Sequence, residues 1–253
     1  MTFNIRYATI NDGVNQWENR KKELTDLLNY YNPEIIGLQE ALLIQINFIL
    51  DHLPSYKKVG IAREDGKIEG EFSPILYDSI KYTIEQTGTF WLSENPNKPT
   101  IGWDAAHKRI CTYAGLINKK TGELIWVFNT HFDHIGQEAR IKSANLIIKK
   151  ISEITLSSES IILMGDFNSL PNSAPISYIK SNLLDGLEIS KSDFYGPYGT
   201  FNGFNPLHPL SENRIDYIFI KNLEITSYRH IDDKMKNSSC ISDHLPILMT
   251  FTK

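Results

Sequence analysis

The stretch Ile161-Ile162-Leu163-Met164-Gly165-Asp166-Phe167-Asn168 places four apolar β-formers directly before an acid and an amide. Such a run predicts a buried strand, and polar groups at its end lie where the core gives way to a cleft. Three other segments have the same form: Ile35-Ile36-Gly37-Leu38-Gln39-Glu40, Trp126-Val127-Phe128-Asn129-Thr130-His131, and Ser242-Asp243-His244 ahead of Ile247-Leu248-Met249. Four apolar runs bordered by acids, amides and imidazoles predict one shared, metal-assisted active site.

The composition is that of an ordinary soluble globular protein, with 253 residues, 41% hydrophobic, 22% charged and a formal net charge of −4. This length allows one large domain or two small ones. Because the sequence contains no recognisable linker or internal repeat, we expect a single domain over 1–253. The negative net charge argues against a high-affinity nucleic-acid binder, but it allows an enzyme with a local basic patch and a cation.

Neither the cysteines nor the apolar segments indicate a secreted protein or a membrane-spanning protein. Cys111 and Cys240 are far apart and lack metal-type spacing, so we expect two buried free thiols. No segment approaches the roughly 20 apolar residues of a membrane span. Residues 2–7 already have the pattern of a strand rather than a signal peptide. We therefore expect a cytoplasmic monomer with no indicated protein partner, or an exported form if an upstream leader has been removed.

Periodicity predicts two sets of strands with helices around them. Helical spacing predicts helices at 18–31, 42–51, 137–154 and 175–182. Strands are predicted at 2–8, 34–40, 56–63, 70–77, 81–91, 110–118, 123–131, 160–165, 214–220, 223–230 and 246–252. That many strands exceed one small sheet, so the simplest α/β architecture is two sheets packed face to face with helices outside. The Gly/Pro/Asn-rich loop at 190–213 is long enough to indicate a functional role.

Polar groups at the predicted strand ends define a candidate site: Asn4, Glu40, His131, Asp133, Asp166, Asn168, Asp216, Asp243 and His244. Most offer carboxylate or amide oxygens, which suit magnesium or manganese better than zinc. Magnesium in turn suits phosphate chemistry, and the histidines then become acid/base or phosphate-contacting groups. Any one residue alone could be a helix cap, a turn former or a structural histidine. The specificity of the signal lies in their joint occurrence.

This pattern resembles the endonuclease/exonuclease/phosphatase superfamily, which includes DNase I-like nucleases, abasic-site endonucleases, inositol-phosphate phosphatases, neutral sphingomyelinases and CCR4/nocturnin deadenylases. The matching pieces occur in the family's order over nearly the whole chain: Thr2-Phe3-Asn4, Gln39-Glu40, Thr130-His131, Gly165-Asp166-Phe167-Asn168, Arg214-Ile215-Asp216-Tyr217 and Ser242-Asp243-His244. Gly102-Trp103-Asp104-Ala105-Ala106 and Gly199-Thr200-Phe201-Asn202-Gly203-Phe204 resemble a bacterial metal-dependent hydrolase branch nearest CCR4/nocturnin.

The resemblance implies a DNase I-like fold, a four-layer α/β/β/α sandwich of two mixed sheets flanked by helices. It also implies a phosphoesterase that uses one or two Mg²⁺ ions, with Mn²⁺ as an alternative. In this comparison Glu40 would be the principal metal carboxylate, helped by Asn4 and Asp243.

The resemblance further implies five catalytic residues. Asp166 would orient or deprotonate the attacking water, either alone or with a second metal. Asn168 and His131 would hydrogen-bond the scissile phosphate. Asp216 would align His244, which would act as general base or as a charged stabiliser of the transition state.

The candidate substrate-binding residues are Arg63, Glu71, Trp103, Arg109, Asn202 and Phe204. The two arginines could clamp a phosphate, because a guanidinium can contact two phosphate oxygens at once. The aromatic residues could stack on a base or sugar, or equally anchor their loops against the core. Glu71 matches the family glutamate that pairs with the phosphate-contacting histidine, although a solvated strand acid is an equal interpretation.

One departure from the family narrows the substrate. DNase-type nucleases carry an arginine two residues after the metal glutamate, and here that residue is Leu42. Together with the negative net charge, this favours single-stranded nucleic acid or nucleotides over duplex DNA. The leading prediction is a Mg²⁺-dependent phosphodiesterase or nuclease of the 3′–5′ exonuclease type. The alternative is a phosphatase of small phosphorylated metabolites such as inositol or sugar phosphates.

A non-catalytic binding relative is a lower alternative. Such a relative should have lost at least one of Glu40, His131, Asp166 or His244. All four are present, so catalysis is the favoured hypothesis.

Overall fold

Two six-stranded mixed sheets carry the fold. The computed structural model describes residues 1–205, 207 and 213–252, so part of the predicted 190–213 loop lies outside the described residues. The first sheet has the spatial order β11 (Glu224–His230), β12 (Ile247–Thr252), β1 (Thr2–Asn4), β2 (Ile35–Gln39), β4 (Ile75–Asp78) and β3 (Tyr56–Val59). The second has the order β5 (Tyr82–Trp91), β6 (Ile110–Asn118), β7 (Leu124–His131), β8 (Ser160–Asp166), β10 (Asp216–Lys221) and β9 (Leu184–Asp185).

Helices cover the outer face of each sheet. They are α1 (Trp17–Tyr31), α2 (Leu43–His52), α3 (Gln137–Ile154) and α4 (Ala174–Lys180), and a short 3₁₀ helix spans Ile10–Asn15. Apolar side chains of α1 and α2 form one core cluster with the first sheet, and those of α3 and α4 form another with the second. A third cluster fills the space between the sheets. The predicted four-layer α/β/β/α sandwich is therefore confirmed.

Three strands are shorter in the structure than the sequence predicted, and in each case the local backbone explains the difference. The strand predicted at 2–8 ends at Asn4, because Arg6 has a left-handed backbone with φ +54°. The strand predicted at 56–63 ends before Gly60, whose φ is +111°. The strand predicted at 70–77 begins only after Pro74, which cannot donate to a ladder. Sequence reasoning missed the two-residue strand β9 and the 3₁₀ helix.

The second sheet brings three site residues into one row. Strands β7 and β8 are parallel, with Thr130 opposite Gly165 and His131 opposite Asp166, while Asp216 pairs with Asp166 from β10. Gly165 has φ +148°, and a Cβ there would lie 2.0 Å from the carbonyl oxygen of Thr130. Only glycine fits this approach, so Gly165 permits the register that aligns His131 with Asp166.

The first sheet adds its own polar groups at the same end of the sandwich. Strands β1 and β2 are parallel with Asn4 opposite Gln39, so Asn4 and Glu40 lie at neighbouring strand ends. His244 lies three residues before β12, which pairs antiparallel with β1. The buried Gln39 Nε2 donates to Asn129 Oδ1 at 2.6 Å, which links the two sheets beneath the site.

Cys111 and Cys240 are both free and buried, as predicted. Among the described residues, the helices are too short or too polar to cross a membrane.

Candidate active site

A cleft of about 370 Å³ opens where strand ends from both sheets meet. Six of the eight residues predicted to catalyse or bind metal line it: Glu40, His131, Asp166, Asn168, Asp243 and His244. The other two, Asn4 and Asp216, are buried behind the lining and hydrogen-bond to it. The structure thus brings together residues that are up to 240 positions apart in the chain.

A larger cavity of about 490 Å³ lies between the sheets at the opposite end of the sandwich. Its walls are mainly apolar residues from the inner faces of both sheets, such as Ile162, Met164 and Met249. The predicted catalytic groups therefore identify the smaller, polar cleft as the candidate active site, rather than the larger cavity.

Asn4 connects the acidic groups of the two sheets. Its fully buried Nδ2 donates to Glu40 Oε1 at 3.1 Å and to Asp166 Oδ2 at 3.0 Å. Its Oδ1 accepts the backbone N–H of Arg6 at 3.0 Å, which fixes the orientation of the amide. Asn4 therefore presents nitrogen to the carboxylates, and a role as metal ligand would require rotation of this amide.

The carboxylates of Glu40 and Asp243 form an acidic wall of the cleft. Burial raises the pKa of Asp243, and the charge of Glu40 raises it further against the opposing effect of His244. Glu40 Oε2 accepts the N–H of Tyr7 at 3.2 Å and lies 3.8 Å from Arg6 Nη1. A half-buried and a buried carboxylate that repel one another form a donor set that fits a hard divalent cation such as Mg²⁺ or Mn²⁺.

A second group of candidate ligands lies deeper. Asp166, Asp216 and His244 offer atoms within 4.8 Å of one another. Asp216 Oδ2 and His244 Nδ1 already bond to each other at 2.9 Å. This pairing suits proton handling better than metal binding, so the acidic wall is the better site for a cation.

His244 lies between two carboxylates. Its Nδ1 bonds to Asp216, and its Nε2 lies 3.7 Å from Asp166 Oδ2. Burial alone would lower the pKa of His244, but Asp216 and Asp166 raise it well above its usual value. Burial and then Asp216 raise the pKa of Asp166 to about 7, although His244 opposes them. Asp166 can therefore exchange a proton near neutral pH, beside an imidazole that is held protonated.

His131 and Asn168 form a neutral hydrogen-bonded pair. Asn168 Nδ2 donates to the carbonyl of Phe132 at 3.0 Å and lies 3.1 Å from His131 Nε2. The carbonyl fixes the amide, so His131 Nε2 accepts and the ring proton is on Nδ1. Burial, then Arg109 and Arg63, lower the pKa of His131 well below its usual value. His131 therefore orients Asn168 as a neutral imidazole.

Another part of the cleft lining, the arginine and histidine wall, contains Arg63, Arg109, His107 and His134. Arg63 Nη1 donates to Glu71 Oε2 at 2.7 Å, so Glu71 contacts Arg63 rather than the histidine suggested by the family resemblance. Arg109 Nη2 lies 3.2 Å from His134 Nδ1, and the His134 ring stacks on that of His107 with centroids 5.6 Å apart. Both imidazoles are exposed at the rim of the cleft.

Trp103, Asn202 and Phe204, predicted to bind substrate, are not among the residues that line the cleft. Asn202 is buried, donates to the carbonyl of Ser242 at 3.1 Å and accepts from the N–H of Phe204 at 2.7 Å. It therefore anchors the segment that carries Asp243. The backbone N–H of Trp103 bonds to Glu94 at 3.3 Å on the neighbouring loop.

Sequence reasoning missed five residues of the lining: Arg6, Tyr7, His107, His134 and Phe201. Arg6 and Tyr7 lie two and three residues after Asn4, and His134 lies three residues after His131, so proximity to a strand end was an available signal. His107 and Phe201 lie on loops, which carry no periodic pattern.

Left-handed backbone conformations concentrate around the cleft. Arg6, Glu40 and Asn168 have φ values of +54°, +56° and +45°. Such conformations are unfavourable for residues with a Cβ and persist where surrounding contacts hold them, as at functional sites. Here they turn each side chain away from its strand and toward the cleft.

A face-to-face sandwich with acids, amides and histidines at one end of both sheets defines a DNase I-like phosphoesterase. Comparison with known proteins agrees with this class. The chain belongs to the Endonuclease/Exonuclease/phosphatase family, whose model matches residues 1–244.

Several relatives are similar over nearly their full length. An endonuclease/exonuclease/phosphatase structure from Bacteroides vulgatus is 35% identical with a TM-score of 0.94, and the match covers 99% of this chain and 97% of that one. A mannosyl-6-phosphatase from Bacteroides thetaiotaomicron is 34% identical with a TM-score of 0.94 over 100% and 98%. An uncharacterized protein of Acanthamoeba polyphaga mimivirus is 29% identical over 94% of this chain and 93% of its own length.

More distant similarity extends to a probable RNA exonuclease and, for the fold alone, to the nocturnin catalytic domain. A probable RNA exonuclease of Saccharomyces cerevisiae is 28% identical over 63% of this chain, which corresponds to 34% of the yeast protein. The human nocturnin catalytic domain shares the fold, with 18% identity and a TM-score of 0.77 over 98% of this chain and 92% of that one.

Proposed function

We propose that this chain hydrolyses phosphate monoesters of small hydroxylated metabolites, such as sugar or inositol phosphates, with Mg²⁺ as its cation. The observation that carries the proposal is the size of the cleft, about 370 Å³, which is near the lower end of the range of small-molecule pockets. Full-length similarity to a mannosyl-6-phosphatase supports the same substrate class. The net charge of −4 gives no general attraction for a polynucleotide.

In this proposal Glu40 and Asp243 hold the cation, with Asn4 as a further ligand if its amide rotates. When bound there, the cation would neutralise charge on the phosphoryl oxygens. Arg6 lies beside this wall and is paired with Asp12 at 2.9 Å, so it adds a fixed positive charge near Glu40.

The residues at the base of the cleft perform the proton chemistry. Asp166, held by Asn4 Nδ2 and the N–H of Asn168, accepts a proton from the attacking water. His244 is kept protonated by Asp216 and directs its Nε2–H into the cleft, where it stabilises charge on the phosphoryl group. Both protons of Asn168 Nδ2 are already donated, to the carbonyl of Phe132 and to His131 Nε2, so Asn168 can donate to the phosphate only by giving up its bond to His131.

The bond between phosphorus and the ester oxygen then breaks, the leaving oxygen takes a proton from solvent, and the alcohol departs along the arginine and histidine wall. Because His134 Nδ1 accepts from Arg109, its Nε2 carries the proton and can donate to a substrate hydroxyl. Arg63 and Arg109 are each partly neutralised by a carboxylate, Glu71 and Asp133 respectively. A wall of paired charges and exposed N–H groups suits a hydroxyl-rich group better than a second phosphate.

A 3′–5′ exonuclease on single-stranded nucleic acid is the second candidate. Two aromatic residues of the lining, Tyr7 and Phe201, favour it because their rings could stack on a terminal base. The similarity to a probable yeast RNA exonuclease agrees with this alternative.

The test is a Mg²⁺-supplemented panel of hexose 6-phosphates, inositol monophosphates, p-nitrophenyl phosphate, bis(p-nitrophenyl) phosphate and 3′-labelled single-stranded RNA and DNA. We expect kcat/KM for a hydroxylated monoester to exceed that for either aryl ester by about ten-fold or more. Asp166→Asn serves as the inactive control. Faster shortening of the labelled strands would support the exonuclease instead, and no hydrolysis of any compound would reject both.

A further inference from the structure

Arg20, in the first turn of α1, is fully buried and bonds almost entirely to backbone. Its relative exposure is 0%. Its Nε donates to the carbonyl of Asn15 at 2.5 Å, and its Nη2 donates to that of Arg6 at 3.3 Å. Its Nη1 donates to two carbonyls at once, those of Ile5 at 3.0 Å and Ile241 at 2.8 Å.

This arrangement is unusual for a buried cation, which is normally paired with a carboxylate. Within residues 1–205, 207 and 213–252, no carboxylate forms a salt bridge with Arg20. Aromatic rings border the guanidinium instead, with the centroids of Trp17 and Phe204 at 5.8 and 5.2 Å. The side chain therefore braces main chain rather than neutralising an acid.

One braced segment carries Asp243, a proposed cation ligand, and the other carries Asn4, whose amide donates to the second proposed ligand, Glu40. Ile5 directly follows Asn4, and Ile241 lies two residues before Asp243. One guanidinium nitrogen bonds to both segments, although they are 236 positions apart. A second tie joins the same segments, because Ser242 Oγ donates to the carbonyl of Asn4 at 2.8 Å.

We propose that Arg20 is a positioning residue for the cation site. It fixes the segment that carries Asp243 against the segment of Asn4, whose amide holds Glu40, and so sets the separation of the two carboxylates. The inference rests on the proposed assignment of the cation to Glu40 and Asp243. Arg20 is not itself a cation ligand; it acts through the backbone that it ties, and its charge also opposes the rise that burial causes in the pKa of the nearby Asp243 carboxyl. Partners of this kind commonly change metal affinity by about 10- to 100-fold.

Two substitutions separate geometry from charge and from general stability. Arg20→Lys keeps the charge, but an ammonium cannot reproduce a planar fork directed at several carbonyls. Leu24→Ala opens a cavity one turn further along the same face of α1, in the core cluster against the first sheet, and touches none of the ties. The Leu24→Ala variant therefore shows how a loss of stability alone changes Mn²⁺ binding.

The experiment is a Mn²⁺ titration without substrate, followed by the electron paramagnetic resonance signal of the free ion, with Tm measured on each sample. We expect Arg20→Lys to weaken Mn²⁺ binding by about ten-fold, while Leu24→Ala lowers Tm and binds Mn²⁺ as the wild type does. Ser242→Ala cuts the second tie and also removes a hydroxyl that lies 3.2 Å from Asp243 Oδ1. It should fold normally and show a smaller loss of affinity, so the test survives poor folding of the arginine variant.

Wild-type affinity in both Arg20→Lys and Ser242→Ala would overturn the proposal, as would an equal loss in Leu24→Ala. If Glu40→Gln binds Mn²⁺ with the same affinity as the wild type, the proposed cation site itself is overturned. At saturating Mn²⁺, the p-nitrophenyl phosphate kcat of Arg20→Lys should recover to near the wild-type value, which a directly catalytic role would not allow.

Discussion

Asp216 and His244 belong to different sheets, yet Asp216 Oδ2 lies 2.9 Å from His244 Nδ1. Asp216 begins β10 of the second sheet, whereas His244 lies just before β12 of the first. Asp216 is also opposite Asp166 in the strand pairing, so the imidazole meets a carboxylate on each side. Packing of the two sheets, rather than local sequence, thus determines the charge of His244.

Replacement of Asp216 by asparagine should remove that charge. An amide can accept from Nδ1 but cannot stabilise the imidazolium, so we expect Asp216→Asn to lower kcat by about 100-fold or more, with little change in Mn²⁺ affinity. Steady-state kinetics with the best monoester substrate measures this. In the double variant with His244→Ala, kcat should be no lower than with His244→Ala alone, because the two residues act as a unit. Independent, multiplicative losses would contradict the pairing.

Glu40 and His244 should differ in their effect on metal binding. Glu40→Gln keeps the size of the side chain but removes the charge from the acidic wall, so we expect loss of Mn²⁺ binding together with loss of activity. His244→Ala should chiefly lower kcat and leave Mn²⁺ binding intact. Excess EDTA should abolish wild-type activity, and added Mg²⁺ should restore it. A Glu40→Gln enzyme with normal Mg²⁺ activation would exclude this wall as the cation site.

The histidine rim should discriminate among leaving groups. His134→Ala removes an exposed donor, so we expect KM for a hexose 6-phosphate to rise by about 5-fold, equivalent to roughly one lost hydrogen bond, while kcat/KM for p-nitrophenyl phosphate is unchanged. Ile135→Ala is the matched control, since Ile135 is the adjacent residue, is 64% exposed and lies outside the cleft lining. An equal effect on both substrates would argue against a hydroxyl-binding wall.

Sequence reasoning found the elements of the site whose position follows from strand periodicity. Asp166 and His131 end apolar runs, and the ends of adjacent parallel strands necessarily share one edge of a sheet. The contacts of Arg20 were not predictable in this way, because its partners are carbonyls at Ile5 and Ile241 that any residue type would supply. The pairing of Glu71 with Arg63 likewise depends on the path of a loop, which has no periodic signal.

His230, remote from the acidic wall, should make the folded state sensitive to acid. It is buried, its Nδ1 donates to the carbonyl of Pro197 at 2.9 Å, and no described residue bonds to its Nε2. Burial and then Arg214 lower the pKa of His230 to about 4, below the value of about 6.5 for an unfolded chain. The unfolded state therefore binds more protons between these two values, so stability is full above pH 6.5 and declines as the pH falls toward 4.

The expected loss between pH 7 and pH 5 from this one group is about 2 kcal/mol. His230→Gln keeps an N–H donor for Pro197 but has no titrating ring, so its free energy of unfolding should fall less over the same interval. Urea unfolding of both proteins at the two pH values measures the difference, and the carboxylates common to both proteins cancel in the comparison. Parallel pH dependences would mean that the imidazole is protonated in the folded protein or exposed by local opening, since a ring held neutral in the core must contribute a difference between them.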